Sequence, residues 1–175
     1  ATSDNAVSVF RSPADGGFRA LVADHVVHGR VVFPGAGYLE MARAAGATAL
    51  RAVYFVQPLT VESAGLHVEC AILDGRFEVR SDEDGTLGDA TVHCSGATAA
   101  ESGWQRVDHA SLRLCSRAAD VRALYDGFDA VGLQYGPGYR TLVQTWGSAA
   151  HAVALLRARS THEGTQVHPA DLDDA

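Results

Sequence analysis

The residues best placed by type and spacing to do chemistry lie between positions 25 and 40. His25, Gly29 and Pro34 form the pattern H-x3-G-x4-P, followed at once by Gly35-Ala36-Gly37-Tyr38-Leu39-Glu40, which opens a helix. Imidazole is the side chain that most readily exchanges a proton near neutrality, so His25 is a candidate general base. Gly29 permits a close backbone approach. A Pro-Gly break at a helix start leaves the first backbone N–H groups without intrahelical partners, and such groups can polarise a carbonyl oxygen. The same residues also read as an ordinary strand-to-helix turn in which Gly37 only allows tight packing. His67, His93, His109, His151 and His162 show no metal-ligand spacing. Cys70, Cys94 and Cys115 are odd in number and widely separated, so neither a disulfide framework nor a metal site is indicated.

Composition narrows the setting. The 175 residues suit one domain or two small, closely packed ones, and 47% hydrophobic with 20% charged residues is the balance of a globular core. Fourteen Lys plus Arg against twenty-one Asp plus Glu leave a net charge of −7, which argues against a nucleic-acid partner. No apolar run approaches the roughly 20 residues that span a bilayer. The first residues do not read as a signal peptide. The expected setting is soluble and cytoplasmic, with reduced cysteines.

The elements that must hold His25 and its neighbours follow from local pattern. Phe18–Val22 and Gly29–Phe33 are β-prone runs around a turn-rich stretch, 23–28. From Tyr38 to Ala45, Tyr38, Met41, Ala42 and Ala45 share one helical face, and Gly46 is a stop. Residues 51–57, 67–73, 76–80 and 90–96 read as strands, with Asp74-Gly75 as a hairpin turn and 81–85 as an exposed loop. Residues 97–114 read as a connector anchored by Trp104. A short amphipathic helix is expected over 118–128, a loop over 132–139, extended runs over 141–146 and 150–158, and a helix starting at 168. The result is an α+β class in which a helix is followed by a curled antiparallel sheet.

Three segments, in order, resemble the dehydratase domains of modular polyketide synthases. Residues 24–42 match that family's catalytic-histidine motif nearly position for position. Gly132-Leu133-Gln134-Tyr135-Gly136-Pro137-Gly138-Tyr139 resembles G-x-x-Y-G-P-x-F, with Tyr139 in place of Phe. His168-Pro169-Ala170-Asp171-Leu172-Asp173 resembles H-P-x-L-L-D, with Asp171 where Leu is usual. Arg51–Leu59 is similar to a V-x-F-x-x-P-L stretch of such domains. The resemblance implies a double hotdog, two long helices each wrapped by a curved antiparallel sheet. Residues 1–105 would form the N-terminal hotdog with its histidine. Residues 106–175 would be a linker and the start of a C-terminal hotdog with its aspartate, the remainder lying past residue 175.

The resemblance also implies roles. His25 would take the α-proton of a 3-hydroxyacyl thioester and Asp173 would protonate the departing hydroxyl, giving a 2-enoyl thioester. An acid in that role must keep its proton near neutrality, which an apolar surround or the neighbouring Asp171 and Asp174 would favour. Helix capping is the ordinary alternative for such aspartates. Pro34, Gly35, Ala36, Gly37, Tyr38, Tyr135, Gly136 and Pro137 would contact substrate, with Tyr135 near the acid or anchoring its loop. Gly29 and His168 would be structural supports. His28 fills no motif position and is expected to be exposed. No metal and no redox cofactor is implied. The substrate would arrive on the phosphopantetheine arm of an acyl carrier protein, inside a homodimeric multienzyme with neighbouring domains, and would occupy an apolar tunnel between the halves. A His25-to-Asp173 distance near 6 Å is expected on the scale of two hydrogen bonds. Double-bond isomerisation, pyran formation, cyclisation and a non-catalytic structural role remain alternatives on the same fold.

Overall fold

A computed structural model describes residues 8–83, 89–100, 106–114 and 117–174. In chain order the elements are β1 (Ser8–Pro13), α1 (Gly16–Val22), β2 (Val26–Val27), β3 (Arg30–Val31), α2 (Gly35–Ala44), β4 (Ala49–Phe55), β5 (His67–Leu73) and β6 (Arg76–Asp82). They continue with β7 (Thr91–Ala99), α3 (His109–Leu114), β8 (Arg117–Ala119), α4 (Val121–Ala130), β9 (Leu142–Gly147), β10 (Ala152–Leu156) and α5 (Pro169–Asp173).

Five antiparallel strands form one sheet in the order β1-β5-β6-β7-β4. Asp74 and Gly75 turn β5 into β6 with φ of 50° and 71°, the paired positive values of a type I′ turn. The inner face of this sheet contributes Val68, Cys70, Phe77, Val79 and Cys94 to a core in which α2 places Tyr38, Ala42 and Ala45. Each large apolar side chain buried there contributes about 1.5–3 kcal/mol. Both described cysteines are free and buried. A second sheet, β10-β9-β8, and α4 flank a smaller cluster of Tyr125, Tyr135, Tyr139 and Ala170. Helix α5 packs on α2 and α1.

Several sequence expectations are corrected. Phe18–Val22 is not a strand but lies in α1, because Phe18, Leu21 and Val22 share a helical face against the core, and this packing overrides β-propensity. Phe18 stacks on Phe33 with ring centroids 4.8 Å apart. The stretch 23–28 includes β2, which pairs with β3 across His28 and Gly29, both at positive φ (49° and 77°). Helix α2 does start at Gly35, as the Pro-Gly break implied, and ends at Ala44, one residue before the expected Ala45. β6 runs on to Asp82 and β7 to Ala99, into the expected loop and connector. Residues 118–120 are not helical, since Asp120 is the N-cap of α4 and accepts the N–H groups of Arg122 and Ala123. The edge strand β1 was not anticipated. Trp104 and Cys115 lie outside the described residues.

Candidate active site

His25 follows α1 directly and is buried, at 7% exposure. Its Nδ1 lies 2.5 Å from the Val32 carbonyl oxygen. A carbonyl can only accept, so Nδ1 carries a hydrogen, and a lone pair of this ring can stand only on Nε2. That nitrogen lies 3.5 Å from Oδ2 of Asp173, at the end of α5 and 148 positions away in sequence. Tyr135 donates its hydroxyl to the same Oδ2 at 2.6 Å. Burial, then the contact with Asp173, pushes the Tyr135 phenol well above its ordinary range, so the hydroxyl stays a donor. The rings of Tyr135 and Tyr139 lie 5.4 and 5.3 Å from the imidazole.

Three short stretches bring these groups together. The segment 26–29 zips onto 132–134: Gln134 donates its N–H to the Val26 carbonyl, His28 donates to the Gly132 carbonyl, and Gly29 donates to Gln134 Oε1. Gly29 therefore serves the turn and a loop contact, while the His28 ring is exposed. His168 is the N-cap of α5, its Nδ1 accepting the Ala170 N–H at 3.2 Å. Burial, and then Arg159, holds its ring below the ordinary histidine value.

The aspartates around Asp173 are not bare negative neighbours. Asp171 pairs with Arg159 at 2.6 Å. Asp174 Oδ2 accepts from the Tyr125 hydroxyl and from both the N–H and the hydroxyl of Thr141, at 2.6 to 2.8 Å. None of them is an N-cap, since His168 occupies that position. The anchoring set of Arg159, Thr141, Tyr125 and Gln134 carried no motif signal, because each acts through a contact that only folding creates.

The expected substrate-contacting residues divide between two cavities. One, of about 420 Å³, is lined by His25, Val32, Phe33, Gly35, Tyr38 and residues 55–58. Pro34, Ala36 and Gly37 are buried behind it, and the Gly37 N–H donates to the Pro34 carbonyl, leaving Gly35 as the first-turn residue that faces the cavity. The other, of about 550 Å³, is lined by Tyr135, Gly136, Pro137, Arg140 and Arg157. The cavity at His25 is thus walled by the first half alone rather than lying between the halves. The 3.5 Å contact is also shorter than the expected 6 Å.

Comparison with known proteins decides the family. One family model, the polyketide synthase dehydratase domain, matches residues 1–82, and a second, the polyketide synthase dehydratase N-terminal domain, matches residues 108–175. The chain belongs to the polyketide synthase dehydratase domain family. Polyketide synthase ThaG of Burkholderia thailandensis is 34% identical over 174 residues, covering 88% of this chain. Polyketide synthase PksN of Bacillus subtilis is 29% identical over 178 residues, again covering 88%. The chain spans about 3% of the length of these multidomain relatives. Among solved structures, the dehydratase domain from the CurK module of curacin polyketide synthase superposes with a TM-score of 0.80 at 25% identity, over 99% of this chain and 67% of that one. The erythromycin dehydratase gives 0.77 at 24% identity, over 95% and 67%. The α+β fold is the double hotdog of these dehydratases. Against the expected pair of long helices, α2 has ten residues and α5 five. Among the described residues no helix is long and apolar enough to cross a membrane.

Proposed function

We propose that this dehydratase-family chain carries the His25 and Asp173 pair that removes water from a 3-hydroxyacyl thioester. The observation that carries the reading is the buried approach of Nε2 to Oδ2 at 3.5 Å by groups from opposite ends of the chain. With Nδ1–H committed to the Val32 carbonyl, Nε2 takes the α-proton. The Cα–H electron pair becomes the new double bond, the Cβ–O bond breaks, and the hydroxyl leaves as water with the proton of Asp173. The pair stands closer than the expected 6 Å, and the cavity beside it is lined by His25 and not by Asp173, so the substrate would approach the pair from the imidazole side. Turnover leaves an imidazolium beside a carboxylate, and proton transfer between them restores both groups. Gly35, at the open start of α2, is the candidate to polarise the thioester carbonyl.

Elimination of water changes no oxidation state overall, so the reaction calls for no electron acceptor. A thioester with an apolar tail suits the cavity lined by the apolar side chains of Val32, Phe33, Tyr38 and Phe55. Delivery by the phosphopantetheine arm of an acyl carrier protein, within a homodimeric synthase, completes the proposal.

The test is an assay of the full-length protein with a 3-hydroxyacyl carrier protein, products being read by mass spectrometry. An enoyl product that falls at least about a hundredfold in rate with His25→Ala and with Asp173→Asn is expected. A shifted alkene, a ring, or turnover indifferent to both substitutions would reject it.

A further inference from the structure

Loop 132–139 shows a steric feature that the pairing of His25 with Asp173 does not use: two of its glycines stand against one carboxylate. Asp24 Oδ2 accepts the Gly138 N–H at 2.6 Å, while the Asp24 carbonyl accepts the Gly136 N–H at 2.8 Å. A Cβ at Gly136 would sit 2.3 Å from Asp24 Oδ1, and one at Gly138 would sit 2.8 Å from Oδ2. A side chain at 136 or 138 would therefore have to push the Asp24 carboxylate aside. The residues next to these contacts are those of the site. His25 follows Asp24, Tyr135 precedes Gly136, and Tyr139 follows Gly138. One carboxylate thus bridges the turn between α1 and β2 that carries the imidazole and the loop whose tyrosine donates to Asp173.

We propose that Asp24 is a positioning residue, setting His25 and Tyr135 in one frame so that the imidazole meets the Asp173 carboxyl. It touches neither Asp173 nor, in the dehydration reading on which this rests, the substrate. Its requirement is an oxygen acceptor of carboxylate shape. Asparagine supplies that acceptor and alanine does not. A hydrogen bond donated by a backbone N–H to a carboxylate is among the stronger hydrogen bonds, and its loss frees the loop without touching any substrate contact.

The test uses the full-length protein with a 3-hydroxyacyl pantetheine thioester. Asp24→Ala lowers kcat by about tenfold to a hundredfold with little change in KM, because a small misplacement of reacting groups costs rate rather than binding. Asp24→Asn restores kcat to within a few-fold of the parent. Gly138→Ala pushes on the same contact from the other side and gives the same loss. Combined with Asp24→Ala it adds nothing further, since the two changes share one interaction. Asp24→Ala within a few-fold of the parent overturns the proposal, as does Asp24→Asn falling as far as Asp24→Ala, or full additivity with Gly138→Ala. If Asp24→Ala does not fold, the Asn and Gly138→Ala variants carry the same decision. If the unsubstituted protein forms no enoyl product, the dehydration reading fails by itself. The positional claim is then judged by 15N NMR, where the His25 ring signals must shift in Asp24→Ala and Gly138→Ala but hold in Asp24→Asn.

Discussion

The Tyr135 hydroxyl decides how firmly Asp173 is aimed. Its carboxyl has two neighbours on one oxygen, the 2.6 Å phenol and the more distant imidazole. Removing the phenol oxygen leaves the carboxyl free to rotate on its own bond. A hydrogen bond between uncharged partners is worth about 0.5–1.5 kcal/mol. Tyr135→Phe is accordingly expected to lower kcat several-fold to about tenfold with KM nearly unchanged, in steady-state measurements on the same thioester. An unchanged kcat would show that packing around α5 aims the acid without help. The motifs made His25 and Asp173 legible, and they named Tyr135 as a residue near the acid or a loop anchor. They could not say that Asp171 would be neutralised by Arg159, because nothing local links positions twelve apart across a loop.

At the scale of elements, α5 is short and depends on contacts made by other segments. Five residues cannot sustain a helix alone, since the first turn costs more conformational freedom than its single hydrogen bond returns. His168 caps it at one end and Asp174 bolts it to α4 and to Thr141, which is itself only 1% exposed. Asp174→Ala strands the Thr141 N–H and hydroxyl in a buried place. It is expected to cost about 3 kcal/mol in urea unfolding, with Asp174→Asn costing distinctly less. A loss below about 1 kcal/mol would mean that water replaces the carboxylate there. A second bolt ties α2 to the segment before α5, where Glu40 accepts the Gln166 N–H at 2.8 Å and pairs with Arg43 at 2.7 Å. Burial opposes the Glu40 charge, yet these two partners hold its carboxyl below the ordinary carboxylate range.

Across the whole molecule, buried histidines outside the reacting pair give stability a pH dependence. His93 bonds Ser81 at 2.7 Å inside the first half, and His168 is buried in the second. Burial keeps both below the ordinary histidine value of 6.5. The unfolded chain therefore binds protons that the folded chain refuses, and stability rises with pH over that interval. The contribution is complete above 6.5 and is lost as pH falls from there through the lowered folded values. Urea midpoints are expected to decline as pH drops below 6.5, with part of the slope removed in His93→Gln. A flat profile would mean that neither ring resists protonation in the fold.

By itself the sequence determined which residues could form the site and the helix-and-sheet class that holds them. His25 with its Pro-Gly helix start, the glycine loop at 132–139 and the Asp-Gly hairpin are written in adjacent residues, where backbone preference and spacing are decisive. Only the tertiary structure decided that Phe18–Val22 is a helix, that Asp24 fills the space beside Gly136 and Gly138, and that His25 and Asp173 stand 3.5 Å apart. Each of these depends on packing between segments distant in the chain, and local pattern carries no information about such contacts until folding brings the segments together.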